Sequence, residues 1–143
     1  MYMGDFMEQL TRSELRKNIM TILYQINVYS ANKIEYDVDF IIKEVNPIDN
    51  EFVKDIVYGV ITKKEELDNL ANKYLNKWTI DRLGNTDQSI IRMAIYELLY
   101  TNTPDVVVIN EAIELAKSYS DDDVKNMING VLDKIYKNKV DHE

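Results

Sequence analysis

The chain has no cysteine, which excludes a disulfide framework, a thiolate metal site and a cysteine nucleophile. Its one histidine is His142, the penultimate residue. A side chain there is not held rigidly enough for acid–base work, so a catalytic triad is excluded too. The four glycines, at positions 4, 59, 84 and 130, are isolated from one another, and no Gly-rich loop exists to cradle a phosphate. With only two prolines beside them, the chain lacks the turn punctuation of an all-β fold. It has neither the run of about 20 apolar residues that spans a membrane nor the apolar segment of a signal peptide. The expectation is a soluble, cytoplasmic, all-α protein that is not an enzyme and carries no cofactor.

What is present suits one domain. At 143 residues with 45% hydrophobic content, the chain can bury about two thirds of the surface its unfolded form exposes. The net charge of −8 opposes nonspecific attachment to nucleic acid or anionic lipid. That charge is uneven. Residues 1–34 hold Arg12, Arg16, Lys17 and Lys33 against Asp5, Glu8 and Glu14, so this segment is slightly basic and the acidity lies downstream. A phosphate-facing surface is therefore expected on the first helix.

Residues 1–9 have mixed character and read as a lead-in or frayed turn. Thr11 with Glu14 three residues later matches a capping box, and Leu15, Ile19, Ile22 and Ile26 form the apolar stripe of the helix that follows. Arg12 and Arg16 stand one turn apart with Lys17 beside them. They form either a solvated face with a surface pairing such as Arg16 to Glu14, or a basic strip that meets phosphates. Tyr24 and Tyr29 on the same helix are either core-rim residues or stacking surfaces for a base. After a turn at residues 30–32, helices are expected over 36–45, over 50–64 with Asp49 as cap, and over 65–78. Phe40, Ile41 and Val45 supply the first apolar face, and Phe52, Val53, Ile56, Val57 and Val60 the second. Gly59 marks a close helix contact. Trp78 closes its helix as a half-buried structural ring.

Residues 86–134 carry the densest signal. Thr86 or Asp87 caps a helix whose stripe is Ile91, Ile95 and Leu98. Arg92 in that helix either pairs with Glu97, Glu111 or Glu114 or projects to a phosphate. The β-branched run Val106 to Ile109 is the buried start of a second helix, because Ala112, Leu115 and Ala116 continue it at helical spacing. A third helix follows the run Asp121-Asp122-Asp123. An EF-hand loop from Asp121 would need glycine at its sixth position and glutamate at its twelfth, where Asn126 and Leu132 stand, so no metal is expected. Gly130 costs the last helix roughly 1 kcal/mol relative to alanine, which suggests a close neighbour there.

Three ordered strings, Ile91-Arg92-Met93-Ala94-Ile95-Tyr96-Glu97-Leu98, then Val108 to Lys117 after Pro104, then Asn129-Gly130-Val131-Leu132-Asp133-Lys134, resemble the NusB family of bacterial transcription antitermination factors. The resemblance implies about seven helices in two packed antiparallel three-helix bundles, at about 8–64 and 66–138. It further implies binding of single-stranded box A RNA together with the ribosomal protein NusE, within the antitermination complex on RNA polymerase, including during ribosomal RNA transcription. With that role, the residues expected to meet RNA are Arg12, Arg16, Lys17, Tyr24, Arg92 and Met127, and those expected to meet the protein partner are Asp87 and Asp123. Family members commonly carry a phenylalanine at the position of Met127 and a more basic stretch at Ser13-Glu14-Leu15. The same fold also suits a helical protein-interaction scaffold with weak or lost RNA binding.

Overall fold

The computed structural model describes residues 10–141. The lead-in expected over residues 1–9, and His142, lie outside the described residues. Seven α-helices and one 3-10 turn make up the described chain: α1 (Arg12–Ala31), α2 (Val38–Val45), α3 (Glu51–Thr62), α4 (Lys64–Tyr74), the 3-10 turn (Ile80–Arg82), α5 (Asn85–Tyr100), α6 (Asp105–Tyr119) and α7 (Asp122–Asp141). No strand occurs among the described residues.

Local signals set most boundaries. At α1 the Thr11 hydroxyl accepts from the Glu14 amide while the Glu14 carboxylate accepts from the Thr11 amide, both at 3.1 Å, so the capping box closes as the spacing predicts. The helix runs through Ala31, past the expected turn at residues 30–32. It stops at Asn32 because Lys33 enters the left-handed region at φ 58°. There the Lys33 amide donates to Ser30 and the Ile34 amide to Tyr29, the paired bonds of a Schellman stop that usually carries glycine. Asn50, not Asp49, caps α3, its side-chain oxygen accepting from the Val53 amide at 3.0 Å. Gly84, not Thr86 or Asp87, is the residue before α5, and Asp87 falls in the first turn.

The helix α5 is the centre. It packs against α1, α3, α4, α6 and α7, and every residue from Gln88 to Leu98 is buried. A single apolar cluster runs from Leu15 in α1 to Ile135 in α7 through this helix. The two halves thus share one core. Among the surrounding helices, α2 buries Ile41 and Ile42, whereas Phe40, expected inside, is 62% exposed. Val106 and Val107 at the start of α6 are likewise exposed, and only Val108 of that run is fully buried.

Gly59 is the close contact that its position in α3 suggests. A Cβ there would fall inside the Tyr96 ring. Beside it, the Tyr96 hydroxyl donates to Asp55 at 2.8 Å. Burial, and then this hydrogen bond to a carboxylate, pushes the Tyr96 phenol up to about 12. Gly130 is the opposite case. Nothing lies within 4 Å of a Cβ built on it, so the neighbour expected from the sequence is not there.

Candidate nucleic-acid interface

Of the four cations assigned to RNA, two are withdrawn from solvent. Arg16 is only 4% exposed. Its Nε donates to Glu97 Oε1 at 3.0 Å and its Nη2 to Oε2 at 2.5 Å, a two-pronged pair between a planar fork and a carboxylate. Glu111 of α6 stands 3.8 Å from the same guanidinium and accepts from the Ser13 hydroxyl at 2.7 Å. The surface pairing to Glu14 is absent from these contacts. Arg16 instead locks α1 to α5 and α6.

Arg92 is 5% exposed and pairs with Asp68 of α4, Nε to Oδ1 at 2.7 Å and Nη2 to Oδ2 at 3.1 Å. Its Nη1 donates to Asn27 of α1 at 3.3 Å, and the Asn27 amide donates in turn to Asn85 and Gln88. None of Glu97, Glu111 or Glu114 is its partner. Arg16 and Arg92 therefore act as buried clamps, and neither presents a charge to a phosphate at the surface.

The remaining residues of α1 do face solvent. Arg12 is exposed with its guanidinium 4.1 Å from the centre of the Phe52 ring, an arrangement that holds the cation in place by attraction to the ring face. Lys17 is exposed and Tyr24 is 43% exposed. Two turns apart, they share the outer face of α1. Arg12, Lys17 and Tyr24 thus offer charge and one aromatic surface along the rod.

Met127 lies elsewhere. It lines an open groove of about 440 Å³ formed by the end of α4, the segment after it and α7, with Tyr74, Asn76, Lys77, Trp78, Asp123 and Lys134 among its neighbours. The structure brings Asp123 and Met127 together here. It does not bring them to the residues of α1, none of which lines this groove. Trp78 is the residue that sequence reasoning missed. The helix α4 ends at Tyr74, four residues short of the expected stop, so Trp78 lies beyond the helix it was expected to close. At 53% exposed its ring is about half-buried, as expected, with the open half on the groove.

At the start of α7 the Asp121 carboxylate accepts from the Val124 amide at 2.9 Å, and Asp122 and Asp123 occupy the first turn. The acidic run serves the helix end, where negative charge is favoured. Asp87 accepts a hydrogen bond from the Ser120 hydroxyl and so joins the first turn of α5 to the end of α6. Among the described residues, no group of three or more His, Cys, Asp or Glu side chains could hold a metal ion, and no buried side-chain nitrogen or oxygen lacks a hydrogen-bond partner. No described helix is long and apolar enough to cross a membrane.

The model of the NusB family matches residues 13–137. The chain belongs to the NusB family. It is 40% identical over 131 residues to the transcription antitermination protein NusB of Macrococcus caseolyticus, covering 91% of this chain and 99% of that protein. Among solved structures, NusB of T. maritima superposes with a TM-score of 0.75 at 30% identity, covering 90% of this chain and 92% of that one. A crystal structure of the antitermination factors NusB and NusE in complex with double-stranded RNA matches with a TM-score of 0.74 at 27% identity, over 88% of this chain and 96% of that one. The all-helical NusB architecture and the resemblance of the three strings in α5, α6 and α7 therefore agree.

Proposed function

We propose that this chain is a noncatalytic, cytoplasmic transcription antitermination factor. It binds the box A sequence of nascent RNA together with NusE, within the antitermination complex on RNA polymerase, and it acts in ribosomal RNA transcription. The observation that carries this proposal is the alignment of a NusB antitermination protein over 99% of its own length and 91% of this chain. In this proposal Arg12 and Lys17 meet phosphates, Tyr24 offers a stacking face, and Met127 is an apolar contact for a base. Asp87 and Asp123 face the basic protein partner. Arg16 and Arg92 take part indirectly, by fixing α1 against α5.

The small number of exposed cations on α1 supports weak RNA binding by the chain alone and tighter binding once NusE adds its surface. Fluorescence anisotropy of labelled box A RNA, titrated with the chain and with its NusE complex, tests this directly. Tight binding by the chain alone in ordinary salt would contradict the cooperative picture. A helical protein-interaction scaffold with weak or lost RNA binding is favoured by one specific fact, the burial of Arg16 and Arg92. If the NusE complex of an Arg12→Ala/Lys17→Ala variant bound RNA as tightly as the parent complex, the scaffold would be the better description.

A further inference from the structure

We propose that the Trp78 indole is a stacking platform for one unpaired nucleobase, with the Gly130 position left open to admit that base and Lys77 and Lys134 engaging the flanking phosphates. The inference rests on the RNA-binding proposal above and adds a second place of contact, remote from α1.

Three observations converge on the groove between α4 and α7. First, the chain holds the indole out. Leu75 and Ile80 are both buried, and the Ile80 amide is fixed by the Asn72 side chain at 2.7 Å, so the segment is anchored on either side of the ring. Trp78 between these anchors nevertheless remains more than half exposed, forgoing the stabilisation that burial of a large apolar ring brings. Second, Gly130 has no internal reason to be glycine. It lies within α7, where glycine weakens a helix, its φ is not positive, and no atom lies within 4 Å of where a Cβ would project. Its side of the helix lines the same groove as Trp78. Space retained at a cost to the helix, and unused by the chain itself, is space for something else.

Third, the lining has the chemistry of a nucleotide. Lys77 and Lys134 make no ion pair among the described residues, although the chain as a whole carries −8. Asn76 and Asn126 add amides that both donate and accept, as the edges of a base require. Asp123, assigned above to the protein partner, is the one carboxylate in the lining. A flat ring, two ammonium groups without an ion pair among the described residues and amides around an open recess match single-stranded RNA, in which stacking supplies affinity and cations hold the backbone.

Trp78 is the only tryptophan of the chain, so its emission reports on the groove. The NusE complex of the full chain is titrated with labelled single-stranded box A RNA. Anisotropy and tryptophan emission are followed together, and the Trp78→Ala complex serves as the emission blank. The expected result is quenching that tracks the anisotropy, affinity weakened about tenfold or more by Trp78→Ala and largely retained by Trp78→Phe. Gly130→Leu is expected to weaken RNA binding comparably while leaving the unfolding midpoint at or above that of the parent, an outcome a purely structural glycine would not give. RNA binding at full affinity by Trp78→Ala, with unchanged emission in the parent, would overturn the stacking site and leave the RNA-binding proposal standing. Absence of any anisotropy change would overturn both. Quenching complete on addition of NusE, with no further change on addition of RNA, would assign the groove to a protein contact and overturn the inference.

Discussion

Arg16 and Glu97 stand 81 residues apart in the chain and meet through two parallel hydrogen bonds, both side chains almost wholly out of water. Removing Arg16 leaves the Glu97 carboxylate buried without its cation, which typically costs about 3–5 kcal/mol, whereas removing Glu97 leaves Arg16 only the more distant Glu111 at 3.8 Å. Arg16→Ala and Glu97→Ala are each expected to unfold at markedly lower urea concentration than the parent. An apolar pair, Arg16→Met with Glu97→Leu, is expected to recover most of the loss. Equilibrium urea unfolding of the four proteins checks this. A stability unchanged by Arg16→Ala would mean that the guanidinium is not held as the structure places it.

Arg12 and Lys17 are expected to behave differently. Both are exposed, so the double change to alanine should alter stability by less than about 1 kcal/mol. Its effect belongs on RNA. With two phosphate contacts removed, the slope of log affinity against log salt for the NusE complex should fall in magnitude by about 1.4. Binding measured across a salt series decides, and an unchanged slope would take both residues out of the interface.

Two glycines give opposite predictions. Gly59→Ala places a methyl group where the Tyr96 ring lies and is expected to destabilise by about 1–3 kcal/mol. Gly130→Ala meets open space and should stabilise by up to about 1 kcal/mol. Thermal unfolding of the two variants side by side tests the pair, and a common sign would contradict the packing described for one of them.

Tyr96 predicts a pH dependence. Its phenol ionises near 10 in an unfolded chain and is pushed up to about 12 in the fold, by burial first and then by the hydrogen bond to Asp55. A group whose folded value is raised contributes stability that is complete below pH 10 and is lost as pH climbs towards 12. Unfolding free energy should therefore decline over that window in the parent. In Tyr96→Phe the decline should be shallower, as urea titrations at several pH values between 9 and 12 would show.

Much of the fold was legible because its signals are local. The Thr11–Glu14 capping box, the stripe of α1 and the apolar spacing of α5 each lie within a few turns of one another. The partners of the buried charges do not. Glu97 is 81 residues from Arg16 and Asp68 is 24 from Arg92, so Arg16 resembled a surface cation, and for Arg92 a clamp could be expected but not with its actual partner. One clue was available for Arg16: Met20 and Leu23, four and seven residues on, continue its face and are buried. The candidate groove was the least legible part. The early end of α4 has neither glycine nor proline to mark it, and it follows from burial of Leu75 and Ile80 on a core assembled from distant segments. With that turn the tryptophan moved from a helix terminus to an exposed wall.

A helix enclosed by five neighbours has no edge from which to fray. Interior amides of α5 should accordingly exchange with deuterium only when the entire molecule opens. A nick near Lys63 would separate α1 to α3 from the segment that completes their packing. The two pieces would be expected to become ordered together, because the single rod they both require is present in one of them alone.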